Sequence, residues 1–297
     1  MRNVQILTDS CSDLPVDVLE EYGIDYAKMS TVLDGVESPA RLEWTPEEAK
    51  AHYDAMREGK RITTAQVSVE EFLRIFEEYL SKGMDIVYIA CSSKQSGSVN
   101  TGSVVARRVL EKYPEGKIHC IDSLNASMGE GMLAVEAAKM AREGLSADEI
   151  AERIVAIRKT VNQYVTVHSL DALRRAGRVK GPAAFFGNLM GVKPIIISDA
   201  NGVQAAFKKV KGREKSLREI VAMLAESIVD PEEQTLYFAH ADCSREEVEA
   251  VVEMLKEAIP ARRIVVGYIG PIIGASIGPD AVAIWGFGKP VTFKLGD

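Results

Sequence analysis

Three short apolar segments in the first half of the chain each run straight into a loop rich in Ser, Thr and Asp. Val4–Leu7 leads into Thr8-Asp9-Ser10-Cys11-Ser12-Asp13, and Ile86–Ala90 into Cys91-Ser92-Ser93-Lys94-Gln95-Ser96-Gly97-Ser98. Ile118–Ile121 leads into Asp122-Ser123, with Ser127, Gly129 and Gly131 close behind. In an open α/β sheet, ligands bind beyond the carboxyl ends of the strands. Hydroxyls and the free N–H groups of following helices suit an anionic head group there. Helix capping explains any one such loop equally well, because Ser and Asp are the usual N-cap residues. Three at the same end of one sheet point to a crevice for a small acidic group.

Strands and helices alternate through this half. Strands are expected at 3–8, near 24–30, at 85–90 and at 117–121. Helices are expected at 16–22, 46–58, 69–82, 98–113, 127–143 and 146–159. Thr45 with Pro46 marks one helix start, and Ser146 with Glu149 has capping-box spacing. Val104, Val105, Val109 and Leu110 give helix 98–113 an apolar face. Such alternation predicts an α/β domain with a mainly parallel sheet and helices on both faces. The second half differs. A strand is expected at 164–168, and a hairpin is formed by 194–198 and 203–210 around Asn201-Gly202. Helices near 214–229 and 244–259 and strands near 235–240, 262–268 and 281–286 complete a mixed α+β domain. With 297 residues, two domains are expected, 1–160 and 161–297, with a ligand cleft between them.

The 36 basic and 43 acidic residues leave a net charge of −7, which argues against a general nucleic-acid role. Cys11, Cys91, Cys120 and Cys243 have no CxxC spacing. Scattered cysteines fit a reducing cytoplasm rather than a disulfide scaffold or zinc site. No signal-peptide pattern precedes Val4, and no run approaches the roughly 18 apolar residues of a membrane span. The expected location is cytoplasmic.

Gly274-Ala275-Ser276-Ile277-Gly278 matches the G-x-S-x-G nucleophile elbow. The elbow's chain order requires a His after the Ser, yet the histidines are His52, His119, His168 and His240. Gly129-Glu130-Gly131-Met132-Leu133-Ala134 fits a loose dinucleotide pattern, but Ser123–Met128 separates it from its strand. No P-loop sequence is present. His119, Cys120 and Asp122, like His240, Asp242 and Cys243, lack metal-ligand spacing. No metal or cofactor is expected. Arg174, Arg175, Arg178 and Lys180 form a basic loop ahead of Phe185-Phe186-Gly187-Asn188-Leu189-Met190. This is either a solvated loop before a core helix or an anion- or partner-contacting loop beside an apolar wall.

Taken in order along nearly the whole chain, these segments resemble the DegV family of bacterial fatty-acid-binding proteins. Thr8–Pro15 resembles its TDS-x-SDLP opening, Thr64-Ala65-Gln66-Val67-Ser68 its TSQPS, and Ser92–Ser98 its SS-x-LSGT. Ile121-Asp122-Ser123 with Ser127, Gly129 and Gly131 resembles the third loop, and Leu173–Val179 the LKKGGR segment. Lys193-Pro194-Ile195 follows in place, and Gly270–Gly274 with Gly278-Pro279 resembles the GPVIG-x-H-x-GPG ending. The resemblance implies two α/β domains around a long-chain fatty acid and no catalysis by the chain itself. The carboxylate would be held by Thr64, Ser96, Gly97, Ser93 and Ser276. Arg178 and Lys211 would contact ligand or partner, and Phe185, Phe186, Leu189 and Ile195 would line the acyl chain. Some members present the acid to a separate kinase subunit, resembling dihydroxyacetone kinase, that makes an acyl phosphate for phospholipid synthesis. This chain departs from the family pattern at Ser276, where the family has His, and at Asp280, Ala65, Val67, Gln95 and Ala176. The competing readings are a serine hydrolase using Ser276 or Ser96 and a sensor of another small acidic ligand.

Overall fold

The computed structural model describes residues 2–168, 171–182 and 191–296. The first half runs β1 (Val4–Asp9), α1 (Val16–Tyr22), β2 (Asp25–Ala27), β3 (Met29–Leu33), β4 (Val36–Ala40), α2 (Pro46–Arg57), β5 (Ile62–Ala65) and α3 (Val69–Ser81). It continues with β6 (Asp85–Ala90), α4 (Ser98–Lys112), β7 (Ile118–Asp122), α5 (Met128–Arg142) and α6 (Ala147–Ile157). The second half runs β8 (Val161–Thr166), α7 (Asp171–Ala176), β9 (Val179–Lys180), β10 (Val192–Ser198), β11 (Gln204–Lys211) and α8 (Arg213–Ser227). It closes with β12 (Thr235–His240), α9 (Arg245–Ala258), β13 (Arg263–Tyr268), α10 (Pro271–Ile277) and β14 (Val282–Phe287).

The α/β expectation holds. A parallel sheet has the order β2-β1-β6-β7, and a seven-stranded mixed sheet has the order β13-β12-β14-β8-β10-β11-β9. Every residue of β6 is buried, as a parallel strand covered by helices on both faces must be. On one face Phe72 and Phe76 of α3 and Val105 and Val109 of α4 pack against Leu7, Ile86 and Tyr88. On the other, α5 and α6 meet Ile6, Val87 and Ile89, and the same cluster runs on to Val165, Tyr237 and Trp285 of the mixed sheet. Helix α5 therefore lies between the two sheets, and even Glu130 and its glycines are buried. Leu217, Leu224, Val251 and Leu255 of α8 and α9 cover the far face of the mixed sheet.

Local signals account for most boundaries. Thr45 with Glu48 and Ser146 with Glu149 form complete capping boxes. In the 198–204 hairpin, Asp199 Oδ1 accepts from the N–H groups of Asn201 and Val203, both at 2.8 Å. Gly202 has φ +81°, and a Cβ there would sit 2.4 Å from Ser92 Oγ. Backbone geometry and the close approach of the second loop both require glycine.

Two expectations are corrected, and one helix was not foreseen. The strand expected near 24–30 divides at Lys28: β2 stays in the parallel sheet, and β3 joins an antiparallel sheet of order β4-β3-β5. That sheet has weak patterning, since β4 is an exposed edge carrying Pro39, a place that tolerates a missing N–H donor. Val104 is 59% exposed, because the apolar stripe of α4 is narrower than the run of valines. Helix α10 carries no periodic stripe long enough to read in advance. It begins at Pro271 after Gly270 and ends at Ile277.

Candidate functional site

The carboxyl ends of β1, β6 and β7 face the inner side of the mixed sheet, with α7 and α10 as a roof. Between them lies a cavity of about 190 Å³, counted as space open to the centre of a water-sized sphere. One water needs roughly 10–15 Å³ on that measure, so a ligand the size of about a dozen waters fits.

One end of the cavity is polar. Thr64 of β5, Gln66, Ser96, Gly97 and Ser276 of α10 line it together. The loop after β6 is wound tightly onto the start of α4. Ser96 N–H donates to the Ser92 carbonyl at 3.0 Å, and Ser98 N–H donates to Ser96 Oγ at 3.2 Å. Gly97 is the N-cap residue. A Cβ on it would lie 2.0 Å from Gln66 Oε1, so only glycine lets Gln66 cross the helix start and donate to Thr101 Oγ1 at 2.7 Å. The start of α4 thus offers oriented N–H groups and hydroxyls to an anion.

Apolar groups make the remaining walls. Ile272, Ile273 and Ile277 come from α10, Leu173 from α7, and Val165 and Ile196 from the mixed sheet. Tyr53 seats α10: its hydroxyl donates to the Ile269 carbonyl at 2.5 Å, and a Cβ on Gly274 would meet that hydroxyl. Arg178 is the one charged side chain lining the cavity among the described residues. It is exposed and belongs to an outer vestibule of about 100 Å³ that also carries Lys60, Arg61 and Arg175. Vestibule and cavity share Thr64, Ala176, Arg178 and Ser276, which marks this polar end as the mouth.

The first loop does a different job from the one its composition suggests. Thr8, Asp9, Ser10, Ser12 and Asp13 are all buried, and of that loop only Cys11 reaches the cavity. Asp9 accepts from Tyr88 Oη at 2.6 Å, Cys11 N–H at 2.9 Å and Cys91 N–H at 3.4 Å, tying two loops together. Thr8 Oγ1 donates to Glu130 of α5 at 2.7 Å, and Ser127 Oγ donates to Asp13. Burial raises the Asp9 and Glu130 carboxyls and pushes Asp13 up to about 8. Contact with the Cys91 thiol and burial hold the Cys11 thiol well up, so it is no ready nucleophile. In the third loop Ala126 and Ser127 line the cavity. Asp122 instead accepts from Leu124 N–H at 2.9 Å and Ser93 N–H at 3.2 Å.

Thr64, Ser96, Gly97, Ser276 and Arg178 therefore meet at one cavity. Ser93 does not line it; its N–H is turned toward Asp122. Lys211 is exposed at the far end of β11, away from cavity and vestibule. Ile195 faces α8 on the outer side of the sheet, and its neighbour Ile196 holds the cavity wall, because successive strand residues point to opposite faces. Phe185, Phe186 and Leu189, with Met190, lie outside the described residues. Ser276 lies within helix α10 near its end, not on the strand-to-helix turn of a nucleophile elbow. None of the cavity-lining residues described is a histidine.

Sequence reasoning missed Gln163, Gln204 and Trp285, which line the cavity from the mixed sheet. A signal existed, since Gln163 alternates with Val161 and Val165 and is the polar residue on an otherwise apolar face of β8.

The family model described as "Uncharacterised protein, DegV family" matches residues 3–288. A DegV domain-containing protein of Clostridium perfringens (strain 13 / Type A) is 37% identical over 290 residues, covering 97% of this chain and 98% of that protein. Among solved structures, one described as fatty acid binding of a DegV family protein from Thermus thermophilus has a TM-score of 0.84 at 27% identity. It covers 96% of this chain and 99% of that one. DegV of Bacillus subtilis, described as a fatty acid binding protein, has a TM-score of 0.83 at 25% identity, covering 97% of this chain and 100% of that one.

Proposed function

The chain belongs to the DegV family, and on that premise we propose that it binds a long-chain fatty acid in the cavity between its two sheets. The observation that carries the reading is the cavity's asymmetry. Hydroxyl, amide and backbone donors gather at the mouth, and apolar side chains of α7, α10 and the mixed sheet lie behind them. Each buried methylene stabilises by about 0.8 kcal/mol, so a sixteen-carbon chain gains on the order of 12 kcal/mol before ordering costs. The carboxylate sets orientation, since a buried one without partners is very costly. Thr64, Ser96, Gly97 and Ser276 supply donors without a buried cation, and Arg178 stands at the entrance. On this proposal residues 1–160 and 161–297 are the two domains that clasp the ligand.

The chain itself performs no catalysis in this reading. The carboxylate lies beside the basic vestibule, where a separate kinase subunit could reach it and transfer a phosphoryl group to form an acyl phosphate. Ser276 in place of the family's His leaves a shorter, neutral donor at the head group.

Mass spectrometry of small molecules released from freshly purified, denatured protein tests the proposal. A stoichiometric C14–C18 acid is expected; protein that neither carries nor takes up such an acid would refute it. Incubation with a fluorophosphonate probe should leave the protein unlabelled, and labelling at Ser276 or Ser96 would establish the hydrolase reading instead.

A further inference from the structure

One row of side chains on the inner face of the mixed sheet is polar. Trp285 of β14 pairs with Gln163 of β8, and on the far side Ser198 of β10 pairs with Gln204 of β11. Gln163 and Gln204 meet directly: Gln163 Nε2 donates to Gln204 Oε1 at 2.5 Å, and Gln204 Nε2 returns a long contact at 3.5 Å. Trp285 Nε1 donates to Gln163 Oε1 at 3.3 Å. Gln163 is 4% and Gln204 8% exposed, and both line the cavity with Trp285. The next row inward is apolar, with Ala283 opposite Val165 and Val165 opposite Ile196. Position, not composition, separates the two rows, since residues of one strand two apart share a face.

A plain hydrocarbon chain is a poor occupant for the amide row. The two carboxamides carry four N–H hydrogens, and one from each nitrogen has a partner among the described residues. Covering the other two with methylene groups would strip them of water and give nothing back. The row is also distinct from the head-group end, which is built from β5, the start of α4 and α10. Resting on the fatty-acid reading of the cavity, we propose that the chain's ligand is an oxygenated fatty acid, with a hydroxyl or keto group on its chain that Gln163 and Gln204 hold. A neutral oxygen fits better than a second carboxylate, because among the described residues no cation lines the cavity apart from exposed Arg178.

The test is calorimetric titration of lipid-stripped, full-length protein with hexadecanoic acid and with positional series of its mono-hydroxy and mono-keto derivatives. At least one oxygenated isomer should bind about tenfold more tightly than hexadecanoic acid, the worth of one or two buried hydrogen bonds. Gln204→Leu should abolish that preference by strengthening hexadecanoic acid and weakening the oxygenated isomer. If hexadecanoic acid binds and every oxygenated isomer binds no better, the fatty-acid reading stands and this inference is overturned. If none of the acids binds, the fatty-acid reading fails and takes the inference with it. The wild-type comparison needs no variant, so a Gln204→Leu protein that did not fold would leave the test intact.

Discussion

Ser96 and Asp13 are both small polar residues in loops after strands, and the structure gives them opposite work. Ser96 Oγ faces the cavity mouth while sharing a 2.9 Å hydrogen bond with Ser98. Ser96→Ala should weaken fatty-acid binding about ten- to hundredfold, the worth of a hydrogen bond to a charged group. Thermal unfolding should change little, and unchanged affinity would remove Ser96 from the site. Asp13 is buried against Ser127 and holds its proton up to about pH 8. An unfolded aspartate is already ionised there, so the native state binds more protons, and stability falls as pH rises toward 8. Between pH 7 and 8 this amounts to about 1 kcal/mol. Asp13→Asn should flatten that slope in chemical-denaturation curves; a slope equal to wild type would mean Asp13 is ionised in the native protein. His52 and His240, pushed down to about 4 by burial, are neutral when folded and mostly neutral when unfolded in this window, so they add only a small slope of opposite sign. Composition alone could not separate the two residues, since burial, not residue type, decides which oxygen meets ligand and which ties loops together.

At the scale of elements, α10 matters most and was least legible. It has seven residues and no long stripe, yet it carries Ile272, Ile273, Ser276 and Ile277 into the cavity. Its seat is Tyr53, whose hydroxyl holds the Ile269 carbonyl. Tyr53→Phe leaves that buried acceptor unpaired and should cost about 1–2 kcal/mol of stability in urea titrations. It should also weaken ligand binding, because the roof loosens; full stability and full affinity together would show that α10 is held by packing alone. The long elements were legible because capping boxes and 3.6-residue stripes are local. The three-stranded β4-β3-β5 sheet was not, because short edge strands have little pattern, and their pairing is long-range. The same limit hid the polar row: Gln163 and Gln204 are 41 positions apart and meet only through strand register.

Across the whole molecule, both sheets share α5 and one apolar cluster, with the cavity at their junction. A ligand there contacts both halves and binds only the folded state. Saturation at about a hundred times Kd should raise unfolding free energy by about 2.7 kcal/mol. Calorimetry with added hexadecanoic acid should show one transition moving to higher temperature; separate transitions, one unmoved, would show that the halves unfold independently. The order of amino acids by itself determined the α/β class, most helix boundaries, the hairpin at Asn201-Gly202 and the family, for these are carried by short-range periodicity, caps, turns and ordered motifs. Only the tertiary structure decided which loop residues reach the cavity, that Ile196 rather than Ile195 forms its wall, and that two glutamines and a tryptophan share one row. Those outcomes depend on register and on the approach of two sheets, and both are set by cooperative packing between residues far apart in the chain.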